Sequence, residues 1–167
     1  LRELNINGIG CTQMPIGVLN LTNLTKLNLA SNQIAKIHKS LGQLRINEMI
    51  LSENQLGSST DTKDWDWLNG SNLQKSLQSL TISKNKLKIV PIGISKCENL
   101  INLDISHNEI SNLPFAIKQL KRLKNLNLSN NNLKSLPCTI RKLYLDVIDL
   151  SSNQFPSFSK SLELVQN

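Results

Sequence analysis

The chain has 167 residues, a formal charge of +7 and only 4% aromatic residues. Its core must therefore be built from leucine and isoleucine, within the size of one ordinary domain. No stretch reaches the ~18 uninterrupted apolar residues of a membrane-spanning helix, and the basic balance admits an acidic protein, nucleic acid or an anionic membrane surface as partner without choosing among them.

Seven copies of one pattern, LxxLxLxxNxL, begin at Leu1, Leu24, Ile46, Leu77, Leu100, Leu123 and Leu145. Five of the six spacings are 22 or 23 residues, a register that randomly scattered apolar residues do not hold. The clearest copies read LTKLNLASNQI, LINLDISHNEI and LKNLNLSNNNL. Apolar fourth and sixth places, as at Leu103 and Ile105, predict a short strand with one face inward. The ninth-place Asn (Asn32, Asn54, Asn85, Asn108, Asn131 and Asn153) falls where the chain turns off the strand. Its amide both donates and accepts, so a stacked row of these residues reads as a structural ladder rather than as ligand contacts. Ile9 holds that place in the first copy and interrupts the row.

The third and fifth places point outward and are free of core duty. In chain order the third place holds Glu3, Lys26, Glu48, Ser79, Asn102, Asn125 and Val147. The fifth holds Asn5, Asn28, Ile50, Thr81, Asp104, Asn127 and Asp149. Asn7, Ala30 and five serines (Ser52, Ser83, Ser106, Ser129, Ser151) take the seventh place and read as a third outward row. The surface is polar and slightly acidic, with apolar islands at Ile50 and Val147 as candidate anchors for a protein partner.

The one irregular spacing, 31 residues from Ile46 to Leu77, holds about eight extra residues in the stretch GSSTDTKDWDWLNGSN at 57–72. Both tryptophans lie there. Insertions in repeat arrays fall in loops, often on the binding side, so Trp65 and Trp67 are candidate contacts. The competing reading is that Trp67 and Leu68 refill the core, with Trp65, flanked by two Asp, the more exposed of the pair.

The second half of each repeat carries apolar residues three apart, as in Ile94, Cys97, Leu100 and Ile117, Leu120, Leu123. Pro91, Pro114 and Pro137 precede these runs, which predicts a helical turn or short helix with Pro near its start. No coil of strand, turn and helix buries its apolar side alone, so the coils stack. The expected architecture is an α/β solenoid of about seven repeats over 1–158, with parallel strands on the concave face and short helices on the convex face. Residues 159–167 read as the start of a flanking segment. Leu1 falls in mid-pattern, so the sequence reads as an excerpt whose flanking domains lie outside it. Lys118 and Arg141 hold the same place in successive coils and make a short basic stripe beside Arg122. That stripe could meet nucleic acid or an acidic partner, a solvated convex surface being the commoner outcome, and the lack of interleaved aromatics disfavours a single-strand platform.

Cys11, Cys97 and Cys138 lie far apart, as reduced thiols do rather than a disulfide scaffold. Asn20, Asn23, Asn69 and Asn127 each begin an N-x-S/T triplet, which would accept glycans in a secreted protein and arises by chance in an Asn- and Ser-rich chain. His38 takes a place that Pro holds elsewhere, and His107 stands beside Asn108. The grouping Asp104, Ser106, His107 does not bring a base to a nucleophile on neighbouring strand places. Neither a catalytic residue, a metal-ligand cluster nor a cofactor site is expected.

The form LPFAIKQLKRLKNLNLSNNNLKSLP resembles the cytosolic class of leucine-rich repeats. Two segments, LQKSLQSLTISKNKLKIVP (Leu73 to Pro91) and YLDVIDLSSNQF, are similar to the leucine-rich repeat protein 1 family, the substrate receptors of a cullin-2 RING ubiquitin ligase. That resemblance implies a non-catalytic nuclear receptor. It would recruit the replicative helicase through its Mcm subunits for ubiquitylation and replisome disassembly, and meet elongin and cullin-2 through segments outside this chain. Two other readings remain open, a cytoplasmic signalling scaffold of the Ras-pathway repeat type and a secreted or cell-surface recognition domain.

Overall fold

The computed structural model describes residues 1–59, 61–156 and Glu163; the rest of the flanking segment expected at 159–167 lies outside the described residues. Each alternating stretch forms a three-residue strand: β1 (Glu3–Asn5), β2 (Lys26–Asn28), β3 (Glu48–Ile50), β4 (Ser79–Thr81), β5 (Asn102–Asp104), β6 (Asn125–Asn127) and β7 (Val147–Asp149). They pair in parallel and in chain order, β1 to β7. The register joins like place to like place, with Leu27 opposite Met49 and Leu80 opposite Leu103. The fourth and sixth places therefore stack into columns. Leu27, Leu29, Met49, Leu51, Leu80 and Ile82 have no exposed surface, whereas Leu4, Ile6, Ile148 and Leu150 of the outermost coils are only partly buried. Each fully buried leucine contributes roughly 1.5–3 kcal/mol, shared between neighbouring coils because each touches only its neighbours.

The helical halves are tighter than an α-helix. Five of them are five-residue 3-10 helices: η1 (Ile16–Asn20), η2 (Lys39–Gln43), η4 (Ile92–Lys96), η5 (Phe115–Gln119) and η6 (Cys138–Lys142). The apolar spacing explains the choice. At three residues per turn, residues three apart eclipse one another, and Cys97 N–H donates to Ile94 O while Leu100 N–H donates to Cys97 O. Ile94, Cys97 and Leu100 thereby line one buried edge. Pro15, Pro91, Pro114 and Pro137 stand at the start of four of these helices, where their carbonyls accept the first i+3 bond. His38 does this work for η2, and its Nδ1 also accepts from Ser40 N–H at 3.2 Å.

The insertion folds as η3 (Thr62–Asn69), a longer 3-10 helix, and α1 (Ser71–Ser76). Trp67, Leu68 and Leu73 are fully buried. Trp67 is thus corrected from a candidate contact to a core residue, since no part of it reaches the surface. Three glycines seat this unit. A Cβ on Gly42 of η2 would lie 2.5 Å from Trp67 O and 2.8 Å from Gly70 Cα, and one on Gly93 of η4 would lie 2.6 Å from Leu68 Cβ. Backbone therefore rests on backbone on one side, and Leu68 drops into a notch on the other. Lys36 pins the outer edge through an ion pair with Asp64 at 2.9 Å.

The ladder amides make four bonds each. Asn108 Oδ1 accepts from Leu87 N–H of the preceding coil at 3.0 Å, and its Nδ2 donates to Ile82 O, Ile105 O and Ser106 O. Asn131 repeats this toward Ile110, Ile105, Leu128 and Ser129. Asn32 serves the first coil, accepting from Cys11 N–H and donating to Ile6 O, so the turn holding Ile9 is closed from the coil after it. The residue before each ladder place is left-handed: Ser31, Glu53, Lys84, His107, Asn130 and Ser152 have φ of 51–55°, and Gly8 has 68°. A left-handed non-glycine residue costs roughly 1–2 kcal/mol, which the amide bonds closing the turn offset.

Candidate functional site

The outward strand places form a continuous face of seven rungs, because the sheet stacks third on third and fifth on fifth place throughout. Lys26, Asn28, Glu48, Ile50, Thr81, Asp104, Asn127 and Asp149 are half-exposed, and Asn102, Asn125 and Val147 are exposed. The third row is largely lost. Ala30, Ser83, Ser106 and Ser129 are buried, because the chain leaves the sheet after three residues and the left-handed step turns the seventh side chain between coils. Ser83 Oγ, for example, donates to Ser52 Oγ at 2.9 Å.

Part of the fifth row is also committed to the backbone. Asn5, Asn28, Asp104, Asn127 and Asp149 each accept, through Oδ1, the N–H two residues ahead. These Asx turns end the strands. That bond holds the Asp149 carboxyl below its ordinary range. Ile50 and Thr81 are the two fifth-place residues without this bond, and they face each other across β3 and β4. Among the third-place residues, Lys26 pairs with Glu48 at 3.0 Å, which raises the lysine above its ordinary value, and Asn125 Nδ2 donates to Asn102 Oδ1 at 2.6 Å. The floor thus consists of paired polar side chains and turn-forming amides and carboxyls, with Ile50 in the middle and Val147, 57% exposed, toward one end.

Lys118 and Arg141 are exposed at corresponding places of η5 and η6, and Arg122 Nη1 donates to Asn99 Oδ1 at 3.0 Å. Ser106 is buried and its N–H is held by Asp104, while His107 turns outward to Asn130 at 3.3 Å, so these three side chains do not converge. Among the described residues no His, Cys, Asp or Glu cluster fits a metal ion, and no helix is long and apolar enough to cross a membrane.

Two models named for the leucine-rich repeat match the chain, over residues 23–44 and 75–133. The chain is a leucine-rich-repeat solenoid. A leucine-rich-repeat protein of Leptospira interrogans has a similar solved structure, with a TM-score of 0.55 and 24% identity. The alignment covers 99% of this chain and 58% of that one, so the solenoid spans little more than half of its structural relative. No curated protein matches the sequence. Leucine-rich-repeat folds are generally non-catalytic interaction modules.

The three thiols are unpaired and differ in access: Cys138 is exposed, Cys11 half-buried and Cys97 buried, with burial pushing the Cys97 thiol up to about 12. A thiol reagent applied to the native solenoid at neutral pH is expected to modify Cys138 first, Cys11 more slowly, and Cys97 only on unfolding. Since the folded state favours the neutral Cys97, its contribution to stability is complete below the ordinary thiol value of 9.0 and is lost as pH rises toward about 12. Rapid labelling of all three sites in the native protein would contradict the burial of Cys97.

Proposed function

We propose that the solenoid binds a protein partner along its strand face, with Ile50 and Val147 as apolar anchors. Ile50 carries this reading. It stands at a place where five other coils hold an Asx turn, it closes no turn of its own, and it is half-exposed beside Thr81. An apolar side chain with no structural partner on a polar floor is the kind of anchor that a binding partner desolvates at little cost.

The more specific reading is that the whole protein is the substrate receptor of a cullin-2 RING ubiquitin ligase. Its substrate would be the Mcm subunits of the replicative helicase, its compartment the nucleus, and its elongin and cullin-2 contacts would come from segments beyond this chain. The resemblance of Leu73–Pro91 and Tyr144–Phe155 to that family supports it. The full-length protein is then expected to capture the helicase in a pull-down. Ile50→Asp combined with Val147→Asp is expected to abolish capture without a change in melting temperature. Asp104→Asn, which keeps the oxygen that closes the turn at Ser106, should lower capture modestly by removing charge alone. Reversing Lys118, Arg122 and Arg141 should leave it nearly intact, since exposed charges are screened beyond roughly 8 Å at physiological salt. Wild-type protein that captures no helicase sinks the ligase reading. Capture lost in the reversed-charge variant and kept in the Ile50/Val147 variant sinks the strand face.

A further inference from the structure

We propose that the side of the solenoid where the chain returns to its strands carries a second binding surface, a row of Arg2, Arg45 and Lys75 that grips the phosphate backbone of a nucleic-acid duplex. Two open depressions place the row. One, of about 470 Å³, holds Arg2 and Arg45 with Thr22, Asn23 and Thr25, and Leu1 stands at its end. The next, of about 560 Å³, is lined by Thr25, Arg45, Asn47, Asn72, Lys75 and Ser76. Arg45 and Thr25 belong to both, so the three cations border one polar channel. No carboxylate lines either depression. All three cations are exposed, and none makes an ion pair among the described residues. The floor is tied from coil to coil: Thr25 Oγ1 donates to Arg2 O at 3.1 Å, Asn47 Nδ2 to Ser76 O at 3.1 Å, and Asn72 Nδ2 to Gln43 O at 2.7 Å. Asn72 and Lys75 come from α1, so the insertion builds one wall. The coil does not need the charge, since the place of Arg45 holds Asn23, Ser76 and Asn99 in other coils.

The lining selects the occupant. An acidic segment of a protein is held by apolar anchors as well as by charge, and a bilayer surface is met by apolar or aromatic side chains among the cations. Of the lining residues, Leu1 alone is an exposed hydrophobic. No aromatic lines the channel, so unpaired bases have nothing to stack on. Cations with amide and hydroxyl groups between them complement the regularly spaced phosphates of a duplex. Coils stand about 4.8 Å apart, and the three cations lie on the first, third and fourth. The row therefore spans roughly 14 Å, about four phosphates of one strand along a duplex axis. Glu3 and Glu48, adjacent in sequence, belong to the strand face, where Lys26 pairs with Glu48 at 3.0 Å and is drawn by Glu3 as well. Past Lys75 the same side carries Glu98 and Asp146 among its cations, which confines the site to the first four coils.

Fluorescence anisotropy of a labelled DNA duplex of arbitrary sequence, titrated with the intact chain at several salt concentrations, tests this. Three phosphate contacts predict a log–log salt slope of about −2.7, a loss of about 40-fold between 50 and 200 mM salt. Arg45→Gln with Lys75→Gln should bring the slope to about −0.9 and weaken binding about tenfold or more at the lower salt. Lys118→Gln with Arg141→Gln removes equal charge from η5 and η6 and should change affinity less than about twofold. Ile50→Asp on the strand face should leave it unaffected. The altered cations are exposed, so these variants should melt with the wild type. A single strand of the same length should bind more weakly than the duplex. The proposal is overturned if the duplex is not bound at the lower salt, if the single strand binds as tightly, if the Arg45/Lys75 variant keeps the wild-type slope, or if the Lys118/Arg141 variant loses as much. Poly-glutamate or phosphatidylserine vesicles held more tightly than the duplex, and released by the same Arg45/Lys75 change, would also overturn it and assign the channel to an acidic protein or a membrane.

Discussion

Asn108→Leu is expected to lower the melting temperature by roughly 6–12 °C, and the reason lies in which bonds have substitutes. Of the three carbonyls that Asn108 serves, Ile82 O keeps Asn85, Ile105 O keeps Asn131, and Ser106 O keeps the N–H of Lys84. Leu87 N–H has no other acceptor among the described residues. One buried donor is orphaned outright and three acceptors lose one of two partners, a total of about 3 kcal/mol, which at ~2–4 °C per kcal/mol for a domain of this size gives the stated shift. Asn108→Asp separates this account from simple loss of volume. Its carboxylate would face three carbonyl oxygens, so the folded state raises its proton affinity, and stability should recover as pH falls through that raised value. A leucine variant that melts with the wild type, or an aspartate variant indifferent to pH, contradicts the ladder's energetic role.

Gly70→Ala should be at least as damaging, while Gly17→Ala should be harmless. A Cβ on Gly70 would fall within the backbone of Gly42, where no side-chain rotamer can give way. The clash would force η2 and the insertion apart and unseat Trp67 and Leu68. Overpacking of a core costs about 1–3 kcal/mol when side chains can adjust, and here the obstacle is main chain. A Cβ on Gly17 meets nothing within 4 Å, so alanine there removes only unfolded-state freedom and should stabilise by about 0.4–1 kcal/mol. Denaturant midpoints followed by tryptophan emission would report both, and a Gly70→Ala chain unfolding at the wild-type midpoint would mean that the insertion is not clamped as described.

The parts of the structure legible in the sequence are those that periodicity controls. Leu103 and Ile105 announce a strand by alternation, and Ile94, Cys97 and Leu100 announce a helix by their spacing. The spacing of three is that of a 3-10 helix, although the pattern by itself predicts only a helical turn or short helix. The ladder was readable because Asn recurs at a place where no apolar residue would explain it. The outward face was harder to read, since exposure depends on where the chain leaves the sheet. Ser83, Ser106 and Ser129 continue the strand alternation in sequence but not in space, because a left-handed residue follows each of them. The turn-closing duty of Asp104 and Asn127 was likewise invisible in a pattern of polar residues that binding would also produce. Trp67 was legible as well: the insertion displaces the usual helical apolar residues, and the reading in which Trp67 and Leu68 refill the core is the one the burial bears out.

Every ladder bond between coils runs toward the N-terminus: Asn54 reaches back to Ile34 and Leu29, Asn85 to Leu56 and Leu51, and Asn153 to Leu133 and Leu128. The polarity gives the stack a growing end. A chain leaving the ribosome finishes each coil only when the next has emerged, about one repeat behind synthesis, and no finished coil waits on anything further downstream. Loss of the last coil orphans one turn in the coil before it, whereas loss of the first leaves every remaining turn closed. Unravelling should therefore start at the C-terminal end, and successive C-terminal deletions should each remove one increment of stability rather than abolish the fold.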